Sequence, residues 1–106
     1  MQYRFDHENL DCYRLAVEVV RWLNLTTFPR GQQAMRDQAV RAAGSVVLNI
    51  AEGRARGGDA GRNHFRIALG SAAETCAVLD VVTLPDGADA QAKLRRVGAM
   101  LARLDR

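Results

Sequence analysis

Lysine is almost missing from this 106-residue chain, where fourteen arginines stand against the single Lys93. Aromatic residues are also few: Tyr3, Phe5, Tyr13, Trp22, Phe28 and Phe65 are all there are. No stretch approaches the ~18 consecutive apolar residues of a membrane span. The opening MQYRFDHENLD also lacks the basic-then-apolar pattern of a secretory signal. The sequence therefore reads as a soluble cytoplasmic protein without a membrane role. Two cysteines, Cys12 and Cys76, each fall inside a helical pattern with no second thiol nearby, which predicts buried reduced thiols rather than a disulfide or a metal site. The length suits one domain over 1–106, burying roughly 65% of the surface its unfolded chain would expose. An apolar share of 48% that leans on alanine removes little area per side chain, so a partner subunit is expected to add stability.

The groups that catalysis needs are also missing. A di-iron bundle requires glutamates on two helices and Glu-x-x-His on the other two, but the only glutamates are Glu8, Glu18, Glu52 and Glu74, and neither His7 nor His64 follows one by three. Ser45, Ser71 and the cysteines have no paired base in recognisable context. No phosphate-binding loop with its terminal lysine occurs. The reading is of a non-enzymatic protein with no cofactor, no metal and no small-molecule substrate.

What is present is helical spacing. A first helix is predicted from about Asn9, as N-cap, to before Phe28-Pro29. Asp11, Arg14, Glu18 and Arg21 lie on one line and should form a salt-bridged stripe. The apolar residues around them are broader than a surface helix needs, implying burial on two sides. A second helix runs from Gly31 or Gln32 to Glu52, with Gly53 as the left-handed residue that stops it. Gln38, Arg41, Ser45, Asn49 and Glu52 share its polar face. Arg54 to Gly61 reads as an exposed, mobile glycine loop. Asp59 then caps a third helix through Phe65, Leu69, Ala72, Cys76 and Leu79 to about Thr83, with Val78, Leu79, Val81 and Val82 suggesting burial on more than one side. After the Leu84-Pro85-Asp86-Gly87 turn, Asp86 or Asp89 caps a fourth helix striped by Leu94, Val97, Leu101 and Leu104, with Arg95, Arg96, Arg103 and Asp105 outside the stripe. Short links make neighbours antiparallel. The fold class is all-α, an up-down-up-down four-helix bundle. Gly44, Ser45, Gly70 and Ser71, in the middle of the long helices, imply close backbone approach there.

Charge is uneven: Arg30 to Arg66 holds seven arginines against Asp37, Glu52 and Asp59, a balance of +4 within a net +3. Arg54, Arg56, Arg62 and Arg66 are spaced to reach successive phosphates. Repeated around an oligomer they would make a basic rim for RNA or DNA. The alternative stands beside it: Arg62 and Arg66 pair with Asp59 and Glu74, while Arg54 and Arg56 keep the loop soluble. His64, beside Phe65, reads as a partly exposed structural histidine.

Asn49-Ile50-Ala51-Glu52-Gly53, preceded by Arg41-Ala42-Ala43 and followed by Phe65-Arg66-Ile67-Ala68-Leu69-Gly70-Ser71-Ala72-Ala73-Glu74, resembles the four helix bundle proteins of the 23S rRNA intervening-sequence family. Phe5, Leu10, Tyr13, Ala16 and Phe28-Pro29 extend the likeness to positions 5 to 82. That family is similar to the accessory variability protein of diversity-generating retroelements. The resemblance implies a homopentameric barrel of bundles, and for the retroelement relatives a basic surface that binds nucleic acid and a partner reverse transcriptase without catalysing the reaction. It also implies that Asn49, Glu52 and Ser71 are structural, tying the second and third helices or adjacent subunits together. Gln38 and Arg41, on the polar face of the second helix, and Glu74 read from spacing as solvated surface first and as structural or interface polar residues next. This chain carries arginine, glycine and Asp59 after NIAEG, where members commonly carry lysines.

Overall fold

In a computed structural model, which describes residues 1–105, a short 3₁₀ turn (Asp6–Asn9) leads into four helices: α1 (Asp11–Leu25), α2 (Gln33–Arg56), α3 (Gly58–Val81) and α4 (Gly87–Leu104). No strand occurs among the described residues. Each helix packs on its chain neighbours, and α4 closes the ring against α1. Ser45 meets Ser71 while Asn49 meets His64, and Gln91 reaches Cys76 while Gly98 faces Leu69. Both pairs run in opposite senses, so these neighbours are antiparallel.

α1 begins later than its sequence suggests. Asn9 closes the 3₁₀ turn, held by the Phe5 amide donating to Glu8 Oε2 at 2.8 Å, and Leu10 occupies the cap position without a side-chain bond. Thr26 Oγ1 donates to the Trp22 carbonyl at 2.6 Å where the helix ends, short of Phe28-Pro29. Cys12, Ala16, Val19 and Leu23 point into the core, while Asp11, Arg14, Glu18 and Arg21 face water. Tyr13, Leu15, Val17, Val20 and Trp22 are half-buried, flanked by α2 and α4. Two neighbouring helices of the same chain thus cover part of this broad apolar surface, leaving Tyr13 and Val17 along an open groove. Its outer charges do not form one ladder: Arg14 pairs with Asp11, but Glu18 turns to Lys93 of α4 at 3.8 Å.

The expected loop from Arg54 to Gly61 is helix on both sides. α2 continues through Gly53 to Arg56, Gly57 turns the chain at φ 67°, and α3 starts at Gly58. Gly53 is not a helix stop but a crossing point. A Cβ there would lie 2.7 Å from the Phe65 ring and 2.8 Å from the Gly61 carbonyl oxygen, and one on Gly61 would lie 2.5 Å from the Gly53 carbonyl oxygen. Asp59 lies in the first turn of α3 rather than at its cap, which is Gly57. Of the four small residues expected to meet there, Ser45 and Ser71 touch, whereas Gly44 and Gly70 face open space within the chain, and the glycine-to-glycine approach falls instead at Gly53 and Gly61.

The core is built from Val19, Leu23, Val46, Ile50, Val97 and Leu101, interleaved with buried alanines at 16, 39, 42, 43, 68, 72 and 90. Cys12 is buried but Cys76 is only half-buried, and both thiols are free. α3 ends at Val81, which is exposed, while Val78, Leu79 and Val82 are buried. Asp86 holds the α4 cap position at φ 64° without a side-chain bond, and Asp89 pairs with Lys93 at 3.4 Å.

Candidate nucleic-acid interface

The turn between α2 and α3, the start of α1 and the end of α4 share one end of the bundle. Extending α2 and α3 to the Gly57 turn places Arg54 and Arg56 in the last turn of one helix and Arg62 and Arg66 in the second and third turns of the next. Arg54 and Arg62 border a shallow depression floored by Gly53, Gly57, Gly58, Phe65 and Leu104. Arg54 lies near enough to Cys12 to favour its thiolate, yet burial prevails and pushes that thiol's pKa up.

Three of the four arginines have carboxylate partners. Arg56 Nε donates to Glu52 Oε1 at 2.8 Å, a hydrogen bond that holds the Glu52 carboxyl below its ordinary range. Arg62 pairs with Asp59, as the alternative reading of the sequence had it. Arg66 pairs not with Glu74 but with Asp105, at 2.9 Å. That last contact is not a hydrogen bond, and it leaves Asp105 Oδ1 without a donor among the described residues. Only Arg54 of the four is free of a carboxylate partner among the described residues.

On the outer side of the α2–α3 seam, Ser71 Oγ donates to Ser45 Oγ at 2.9 Å, and Asn49 Nδ2 donates to Ser45 Oγ at 3.0 Å and to the Ser45 carbonyl at 2.9 Å. Asn49 Oδ1 lies 2.8 Å from His64 Nδ1. Asn49 and Ser71 thus tie the two long helices together, whereas Glu52 bonds within its own helix. Gln38, Arg41 and Glu74 are exposed on the same side and make no hydrogen bond or ion pair among the described residues. Sequence reasoning missed Leu48, 70% exposed between Ser45 and Glu52, and Ile67, 44% exposed one turn from Ser71. The signal was available, since Leu48 falls three residues after Ser45 on the polar line.

Residues 8–102 match the family model described as 23S rRNA-intervening sequence protein. The chain belongs to the 23S rRNA-intervening sequence protein family. No curated protein matches it. The matched span takes in α1 to α3 and all but the last two residues of α4, so the family likeness and the bundle support each other. For this family member, no helix is long and apolar enough to cross a membrane, and no group of three or more His, Cys, Asp or Glu side chains could hold a metal ion, both among the described residues.

Proposed function

We propose that this chain is a non-enzymatic, oligomeric helical protein that binds RNA or DNA as an accessory factor, with a reverse transcriptase as one class of protein partner. Arg54, Arg56, Arg62 and Arg66 supply the contact, repeated around a homopentamer. The observation that carries this reading is the pairing of Arg54 and Arg62 around one depression at the Gly57–Gly58 turn, with Arg54 unpartnered among the described residues. The ion pairs of Arg56 and Arg62 lie at the surface, where such pairs are weak, so a phosphate can take the carboxylate's place in a bidentate contact. The family's description as 23S rRNA-intervening sequence proteins is consistent with it. The test is a salt series of RNA and DNA binding with the four arginines changed to glutamine. Affinity unchanged by that substitution removes them from the site.

A second reading is a structural or protein-interaction oligomer with no nucleic-acid role. It is favoured by Leu48 and Ile67, which lie bare on the outer α2–α3 seam beside the unpaired Arg41 and Glu74. Purified protein that carries no nucleic acid and binds none at low salt supports it.

A further inference from the structure

The helices differ in the charge they present to water. α1 alternates Asp11, Arg14, Glu18 and Arg21, and the α2–α3 seam mixes Arg41 with Glu52 and Glu74. Among the described residues, α4 shows an outward strip of arginines and alanines, with the exposed Asp89 at its edge about 20° from Arg96 around the axis. At about 100° per residue, Ala88, Ala92, Arg95, Arg96, Ala99, Ala102 and Arg103 fall in one arc opposite Leu94, Val97 and Leu101, and all seven are exposed. None of the three arginines has a carboxylate partner among the described residues. The nearby acids are engaged elsewhere, Asp89 by Lys93 and Asp105 by Arg66. Arg96 and Arg103 stand two turns apart, about 10 Å along the axis, with Arg95 turned toward α3.

We propose that this strip of α4 binds the phosphodiester backbone of a nucleic acid strand. It rests on the nucleic-acid reading above and adds a contact surface separate from the α2–α3 turn. Free guanidiniums match phosphate oxygens in two-point contacts, and the alanines between them keep the floor low enough for a backbone to lie close. The strip has no large apolar or aromatic anchor of the kind that dominates protein–protein interfaces, which argues against an acidic protein as the occupant. Nor does it hold an amide or carboxylate side chain that could read a base edge, so the contact is indifferent to sequence.

The experiment measures binding of the full chain to a fluorescent single strand of RNA, and separately of DNA, between about 50 and 200 mM salt. Three proteins are compared: wild type, R95Q/R96Q/R103Q, and R54Q/R56Q/R62Q/R66Q. Losing three phosphate contacts should lower affinity at least about tenfold at the lowest salt and flatten the log–log salt slope by about 2. R95K/R96K/R103K should retain most of that slope because the charge remains. A wild type that binds and a glutamine triple variant that binds equally well would remove α4 while leaving the nucleic-acid reading intact. A wild type that binds neither strand at low salt overturns both. If polyglutamate displaces RNA as well as unlabelled RNA does at equal charge, the strip belongs to an acidic protein and the proposal fails. Relative affinity for RNA and DNA then identifies the natural strand.

Discussion

Gly53 and Gly61 meet back to back, so close that a methyl group on Gly61 would lie 2.5 Å from the Gly53 carbonyl oxygen. This contact sets how tightly α2 and α3 cross near their shared turn. Either glycine changed to alanine should destabilise the fold by about 1–3 kcal/mol, because the new methyl meets backbone at Gly61 and both backbone and the buried Phe65 ring at Gly53. Gly44→Ala and Gly70→Ala, which meet nothing within the chain, should instead be neutral or stabilising by about 0.5–1 kcal/mol in the monomer. Urea unfolding of the four variants checks this, and equal costs at all four sites would refute the crossing point.

The Ser71–Ser45–Asn49–His64 chain of hydrogen bonds should behave as one unit. Ser71→Ala and Asn49→Ala are each expected to cost about 1 kcal/mol. The double variant should cost less than their sum, because both remove donors to the same Ser45 hydroxyl. A double-mutant cycle measures that shortfall, and strict additivity would mean the chain is incidental.

The two thiols should react at different rates. Cys76 is half-buried beside a groove lined by Leu69, Ala73 and Gly98, whereas Cys12 is sealed in the core. Burial favours the neutral form of Cys12 and raises its pKa above the ordinary 9.0. Its contribution to stability is therefore present below that value and is lost as pH climbs through the raised one. Alkylation of the native protein followed by mass spectrometry should modify one cysteine, Cys76. Modification of Cys12 at the same rate would contradict the packing of α1.

Leu48→Asp with Ile67→Asp is expected to dissociate the proposed oligomer while leaving the helical circular dichroism and the unfolding midpoint of the monomer nearly unchanged, as both side chains are exposed in a single chain. Light scattering reads the result. A particle mass unaffected by both aspartates would place the copy-to-copy surface elsewhere.

Much of the architecture was legible in the sequence. Four helical spacings, the Phe28-Pro29 boundary and the inward stripe Leu94, Val97, Leu101 follow from periodicity and proline geometry, which are local properties. Gly53 was misread because a glycine that stops a helix and one that lets a neighbouring helix come close look alike in a single sequence. Phe65 and Gly61, which distinguish the two, become its neighbours only after α3 folds back. The candidate arginines show the same limit from the other side. Spacing placed Arg62 and Arg66 on one face of α3, but whether their charge is free depends on Asp59 nearby and Asp105 at the far end of the chain. The unpaired state of Arg95, Arg96 and Arg103 was equally hidden, since it depends on which acids other elements claim.

Because one glycine is all that separates α2 from α3, these two rods can zip together from the turn outward with little loop entropy to overcome. Such a hairpin is expected to form first, with the shorter α1 and α4 docking on it. Amide protons around Val46, Ile50, Ala68 and Ala72 should accordingly be the last to exchange with deuterium, outlasting those of α1.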